Sequence, residues 1–146
     1  MAEKIGCFVC TGCGIGQSVD TNKLLQIAIE EKQASVARSH TALCQKEGLT
    51  LIQSEIKANG LEAIAVGACS GRDHTNTFSF PDIYVDRANL REGVAWTQES
   101  GTEDTQMLAE DVIRMSIGRS KFALCPKAQP AQVQNRLLVI GGGVSG

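Results

Sequence analysis

At 146 residues, 42% of them hydrophobic and 21% charged, the chain has room for one domain with a real core and does not have the composition of a disordered tail. Fourteen basic and 16 acidic residues leave a net charge of −2, with no basic block or aromatic-interleaved stripe, which argues against nucleic acid as a partner. No apolar run approaches the ~20 residues that span a bilayer, and Met1-Ala-Glu-Lys4 lacks a signal-peptide charge pattern, so the expected compartment is the cytoplasm.

Ile5 to Cys10 is a continuous apolar run that reads as a buried strand, and it breaks into the glycine-rich turn Thr11-Gly-Cys-Gly-Ile-Gly16. Gly12, Gly14 and Gly16 would let backbone amides point at a bound anion, or would simply make a tight strand-to-helix turn. Asp20 is an N-cap for a helix to about Lys32, with Leu24, Ile27 and Ala28 as its apolar face, widened by Leu25 and Ile29. Ser35 to Ser39 is a short strand candidate. His40-Thr-Ala-Leu-Cys44 leads into a second helix with apolar positions Leu49, Ile52 and Ile56, closed by Asn59-Gly60.

Leu61 to Ala68 reads as a third strand that stops at Cys69, and Ile83 to Asp86 as a fourth, after the polar stretch Asp73 to Phe80. Gly101-Thr-Glu-Asp104 opens a third helix with acids in its first turn and Arg114, Arg119 and Lys121 towards its end, as the helix dipole favours. Its expected core face is Leu108, Val112 and Met115. Residues 126–135, with two prolines and no periodicity, read as a linker. Arg136 to Ile140 then begins a strand, and Gly141, Gly143 and Gly146 satisfy G-x-G-x-x-G directly after it, where a dinucleotide fingerprint belongs. The motif needs a following helix, so the expectation is an amino-terminal piece of a larger flavoprotein or nicotinamide-binding protein, unable by itself to bind a dinucleotide.

Strands alternating with helices predict an α/β fold. The expected form is a three-layer, Rossmann-like or flavodoxin-like domain over residues 1–125, with a short parallel sheet of about four strands and flanking helices. Such sheets bind ligands at the carboxyl ends of their strands. Cys10 and Cys13 follow the first strand, Cys44 the second and Cys69 the third, so all four fall on one edge. Six cysteines in a reducing compartment suit ligands or catalysts better than a disulfide frame. Four soft sulfur donors select an iron–sulfur cluster or zinc, and a Cys10–Cys13 dithiol, with Cys10 as nucleophile and Cys13 resolving, is the other chemistry this spacing allows. Lys46 and Arg72 are candidates to offset the negative charge, whereas Arg87 and Arg91 read as solvated or paired with Asp86 and Glu92. Cys7 reads as a core residue and Cys125 as a bystander. His40 and His74 read as ordinary loop histidines, and Trp96 as a packing residue.

Taken together, Ile5 to Gly16, Ala68-Cys-Ser70, Arg87 to Glu92, Met107 to Met115 and Val139 to Gly146 resemble the amino-terminal region of the flavin-containing A subunit of heterodisulfide reductase. They resemble more closely still its relative in sulfur-metabolising bacteria, the B subunit of the quinone-interacting membrane-bound oxidoreductase complex. The resemblance implies that Cys10, Cys13, Cys44 and Cys69 bind a [4Fe-4S] cluster and that Gly141, Gly143 and Gly146 begin an FAD site. It also implies an oxidoreductase subunit of sulfur metabolism that passes electrons among flavin, clusters and the other subunits of a complex, meeting a membrane only through that complex. The compact Asp73 to Phe80 stretch departs from the archaeal A subunits, which points to the sulfate-reducing or sulfur-oxidising branch.

Overall fold

The computed structural model describes residues 1–132, 134–138 and 140–144. Four strands, β1 (Ile5–Cys10), β2 (Val36–His40), β3 (Ala63–Ala68) and β4 (Tyr84–Asn89), form one parallel sheet in the order β2-β1-β3-β4. β1 and β3 are buried along their whole length, as central strands covered on both faces must be. A single helical turn, α1 (Ile15–Ser18), follows β1, a π-helical turn (Arg91–Ala95) follows β4, and the longer helices are α2 (Thr21–Glu30), α3 (Lys46–Asn59) and α4 (Glu103–Phe122).

The chain steps one way across the sheet from β1 to β2 and back the other way from β2 to β3, so right-handed crossovers put α2 and α3 on opposite faces. α2 and α4 pack together over one face. On the other, α3 meets β1 and β2. The β3–β4 connection carries no helix, and Phe78 and Phe80 from it are buried instead. This is the expected α/β fold.

The caps follow the sequence. Asp20 accepts from the Asn22 amide at 2.9 Å, Thr102 accepts from the Thr105 amide at 3.3 Å, and Gly60 closes α3 at φ 60°. Leu24, Ile27 and Ala28 are buried as expected, while Ile29 is exposed.

α4 turns a different face to the sheet from the one expected. Ala109, Ile113 and Ile117 are buried, together with Thr105, Ser116 and Ser120; of the expected face Val112 is half-buried against the core, while Leu108 and Met115 are 37% and 53% exposed. Two apolar stripes share this helix, and the buried one has the smaller residues. It lets Ile113 approach β3 at Gly67, where a Cβ would stand 2.9 Å from the Ile113 side chain, and it brings Ser116 to Asp86. Residues 123–132 have no regular structure. The strand expected over 136–140 is not formed by the described residues 136–138 and 140, and Leu137, Leu138 and Ile140 are all more than 80% exposed. Of the glycine fingerprint, Gly146 lies outside the described residues; Gly141 and Gly143 are exposed.

Candidate functional site

Three strand ends converge on one pocket. Cys10 is the last residue of β1, Cys13 sits in the turn after it, Cys44 lies two residues before α3, and Cys69 directly follows β3. All four cysteines line a single small pocket of about 20 Å³, together with Ile15, Ala68, Phe78 and Arg91. Cys7 and Cys125 are not among its lining.

The turn after β1 lies hard against the turn after β2. The Thr11 amide donates to the His40 carbonyl at 3.0 Å, and the Cys10 thiol donates to the Thr41 carbonyl at 3.6 Å. Gly12 makes this approach possible, since a Cβ there would collide with the Thr41 carbonyl. The amides of Ile15 and Gly16 donate to the carbonyls of Gly12 and Thr11, so they close the turn and do not point at a ligand. Cys13 takes a left-handed backbone, φ 54°, which a residue with a Cβ rarely adopts, and it is exposed. Trp96 holds it there by donating from Nε1 to the Cys13 carbonyl at 3.1 Å. Trp96 is thus a 61%-exposed clamp on the rim and not the packing residue expected.

Two arginines, neither of them the cations expected, supply the charge. Lys46 and Arg72 are exposed and absent from the pocket lining. Arg91 lines the pocket, stacks over Trp96 at 4.7 Å, and pairs with Asp73 and Glu92 at 2.6 Å each. The Arg91 hydrogen bond holds the Asp73 carboxyl below its ordinary range. Burial works to raise Glu92, but Arg91 and the Ser70 amide outweigh it and keep that carboxyl low as well. Arg91 therefore pairs with Glu92 as read from sequence, but Arg87 does not pair with Asp86.

Arg87 instead turns to the loop after β3. Its Nη2 donates to the Cys69 carbonyl at 2.9 Å, to the Cys69 sulfur at 3.0 Å and to the Ser70 carbonyl at 3.2 Å, while the guanidinium lies 4.3 Å from the Phe78 ring centre. Its Nε is buried with no hydrogen-bond partner among the described residues. Burial pushes the Cys69 thiol up, and Arg87 and then Arg91 pull against that. His40 spends its Nδ1 on the Ala42 amide at 3.0 Å, and His74 is exposed on the loop.

Among the described residues, no three His, Cys, Asp or Glu side chains stand close enough together to hold a single metal ion. The four cysteines share a pocket without meeting at one point. Arg87 was read as solvated or paired because the fourth strand was expected to end at Asp86, and Phe78 was read as part of the polar stretch Asp73 to Phe80 before that strand. It runs on to Asn89, and the signal was the Arg87–Arg91 spacing across the end of a strand that shares the cysteines' edge.

No protein-family model matches the chain. Over 98% of its length it is 31% identical to the A subunit of the H(2):CoB-CoM heterodisulfide,ferredoxin reductase of Methanothermobacter marburgensis, covering 23% of that protein. It is 32% identical to the second iron-sulfur A subunit of the CoB--CoM heterodisulfide reductase of Methanopyrus kandleri, over 100% of this chain and 24% of the relative. It is 29% identical to the A subunit of the ferredoxin:CoB-CoM heterodisulfide reductase of Methanosarcina mazei, over 98% of this chain and 19% of the relative. The chain spans about a quarter or less of the length of these curated relatives.

Proposed function

We propose that the chain is the cluster-bearing domain of a flavoprotein like the A subunit of heterodisulfide reductase, relaying electrons between a [4Fe-4S] cluster held by Cys10, Cys13, Cys44 and Cys69 and an FAD or a partner protein. The observation that carries this is the meeting of four cysteines, from three separate strand ends, around one pocket. When bound, such a cluster supplies reversible one-electron transfer and needs no bond to be made or broken in substrate.

The residues present fit that group. Four thiols are its usual donor set. A four-thiolate cluster is anionic, and two guanidiniums border the site: Arg91 lines the pocket, and Arg87 touches the Cys69 sulfur and has a buried nitrogen with no partner among the described residues. Zinc suits the same donors but needs four sulfurs ~2.3 Å from one point, hence about 3.8 Å apart. A dithiol scheme is less well served. It asks for a reachable nucleophile at Cys10, yet Cys10 is buried and Cys13 is exposed, and it leaves Cys44 and Cys69 without a task.

In the whole protein, residues 1–125 form the cluster domain, 126–135 a linker, and 136–146 the start of an FAD-binding Rossmann domain whose Gly141, Gly143 and Gly146 approach the pyrophosphate. We assign it, on its short Asp73 to Phe80 segment, to the sulfur-metabolising branch typified by the B subunit of the quinone-interacting membrane-bound oxidoreductase complex. Its setting is then the cytoplasm, within a multi-subunit oxidoreductase. No helix among the described residues is long and apolar enough to cross a membrane.

The test is anaerobic reconstitution with iron and sulfide, followed by metal and sulfide counting and EPR of the reduced sample. About four irons and four sulfides per chain with a reducible signal are expected. Stoichiometric zinc, or a reversible Cys10–Cys13 disulfide without iron in a folded chain, would overturn the proposal.

A further inference from the structure

Arg87 and Arg91 are four residues apart at the same sheet edge, and their charges are answered differently. Arg91 meets two carboxylates. None of the ion pairs among the described residues includes Arg87. Its neighbours are an aromatic ring, two carbonyl oxygens and the Cys69 sulfur. Asp86, next to it in sequence, faces α4 and is already occupied by Arg119 and Ser116. Holding a half-buried cation against neutral dipoles is costly, and the contact able to carry negative charge is the Cys69 sulfur.

The arrangement is also rigid. Arg87 lies within β4, in register opposite Val66 of β3, three residues before Cys69. The sheet fixes its backbone, the Phe78 ring supports its plane, and both carbonyls hold Nη2 at the point where it reaches the sulfur.

We propose that Arg87 is a positioning residue that sets the reduction potential of the centre bound at Cys69, through a charge-assisted hydrogen bond from Nη2 to the Cys69 sulfur. This rests on the cluster assignment above. A cluster held at Cys69 would gain negative charge on its ligand sulfurs when reduced by one electron from a donor, and Arg87, whose Nη2 lies 3.0 Å from the Cys69 sulfur, would stabilise that reduced form more than the oxidised one. The guanidinium therefore raises the potential. Hydrogen bonds and charge near ligand sulfurs are general levers on cluster potential.

The experiment is an EPR-monitored redox titration of the reconstituted chain and of three variants, each with its iron and sulfide counted and its fold checked by circular dichroism. Arg87→Gln is expected to lower electron affinity about tenfold, a shift of about 59 mV to more negative potential for a one-electron couple. Arg87→Lys, which keeps the charge but not the fork, should recover part of that shift. Arg72→Gln removes a nearby exposed charge without touching the sulfur and should leave the potential where it was. A cluster-loaded Arg87→Gln with unchanged potential would overturn the proposal, as would an equal shift from Arg72→Gln. Loss of the cluster from both Arg87 variants in a folded chain would overturn it too, leaving Arg87 only the task of holding the loop. A wild-type chain that binds no iron fails before any substitution is made, which marks that outcome as a failure of the cluster assignment.

Discussion

Asp86 and Arg87 are consecutive residues of β4 whose side chains enter opposite faces of the sheet, and the two faces treat charge differently. On the α4 side, Asp86 accepts from Ser116 Oγ at 2.5 Å and from Arg119 Nε and Nη2 at 2.9 and 2.8 Å, a bidentate pair plus a hydroxyl. That carboxylate is balanced by the protein alone. On the other side, among the described residues, Arg87 keeps a buried Nε with no partner and pairs with no carboxylate, beside four cysteines around one pocket. A balanced buried charge is explained by the fold, whereas an unbalanced one beside convergent donors points to something the fold alone does not contain.

The largest expected effect separates the cysteines of the pocket from those outside it. Cys44→Ser or Cys69→Ser should abolish most iron binding on reconstitution, as should the same change at Cys10 or Cys13, while Cys125→Ser keeps the full complement. Equal loss at Cys125 would break the distinction between the two regions, because Cys125 does not line the pocket.

The balanced side should register in stability and not in iron. Asp86→Ala leaves Ser116 buried without its acceptor and Arg119 without its carboxylate. Breaking a buried pair costs about 3–5 kcal/mol, but Arg119 is 52% exposed and water recovers part of that. A loss of roughly 2–3 kcal/mol in urea unfolding, with iron content unchanged after reconstitution, is the expected outcome. A cost below about 1 kcal/mol would mean that the network on this face contributes no more than an exposed pair.

The same contrast governs what could be read from the chain. β1 and β3 were legible because central parallel strands are apolar throughout, and from strand ends alone Cys10, Cys13, Cys44 and Cys69 could be assigned to one edge. The carboxyl end of β4 was not legible. Asp86, Arg87 and Asn89 are polar, and the placing of Asp86 and Arg87 depends on side chains outside the strand, namely Arg119, Ser116 and Phe78. The core face of α4 was misjudged for the same reason. Periodicity offered two stripes, and the choice fell to close approach at Gly67 and to the need of Asp86 for Ser116, which no local pattern encodes. Trp96 and the left-handed Cys13 likewise follow from a contact across 83 residues.

The last contrast is between two buried thiols. Cys69 has arginines that oppose its burial, whereas burial acts on Cys7 with nothing against it and pushes its thiol up to about 12. In the unfolded chain a thiol ionises near ~8.5. Below that, native and unfolded chains both hold the Cys7 proton and its contribution to stability is fully present. Between about 9 and 12 the unfolded chain releases a proton that the native chain keeps, so unfolding gains about 1.4 kcal/mol for each pH unit. Stability must therefore fall as pH rises. In Cys7→Ala that slope is absent, while the packing lost with the sulfur lowers stability at neutral pH. Urea unfolding of the metal-free, reduced chain from pH 8 to 11 should then show the two stability curves converging as pH rises. Parallel curves would mean that the Cys7 proton is not held by the core. Burial would then not by itself distinguish this cysteine from those at the pocket.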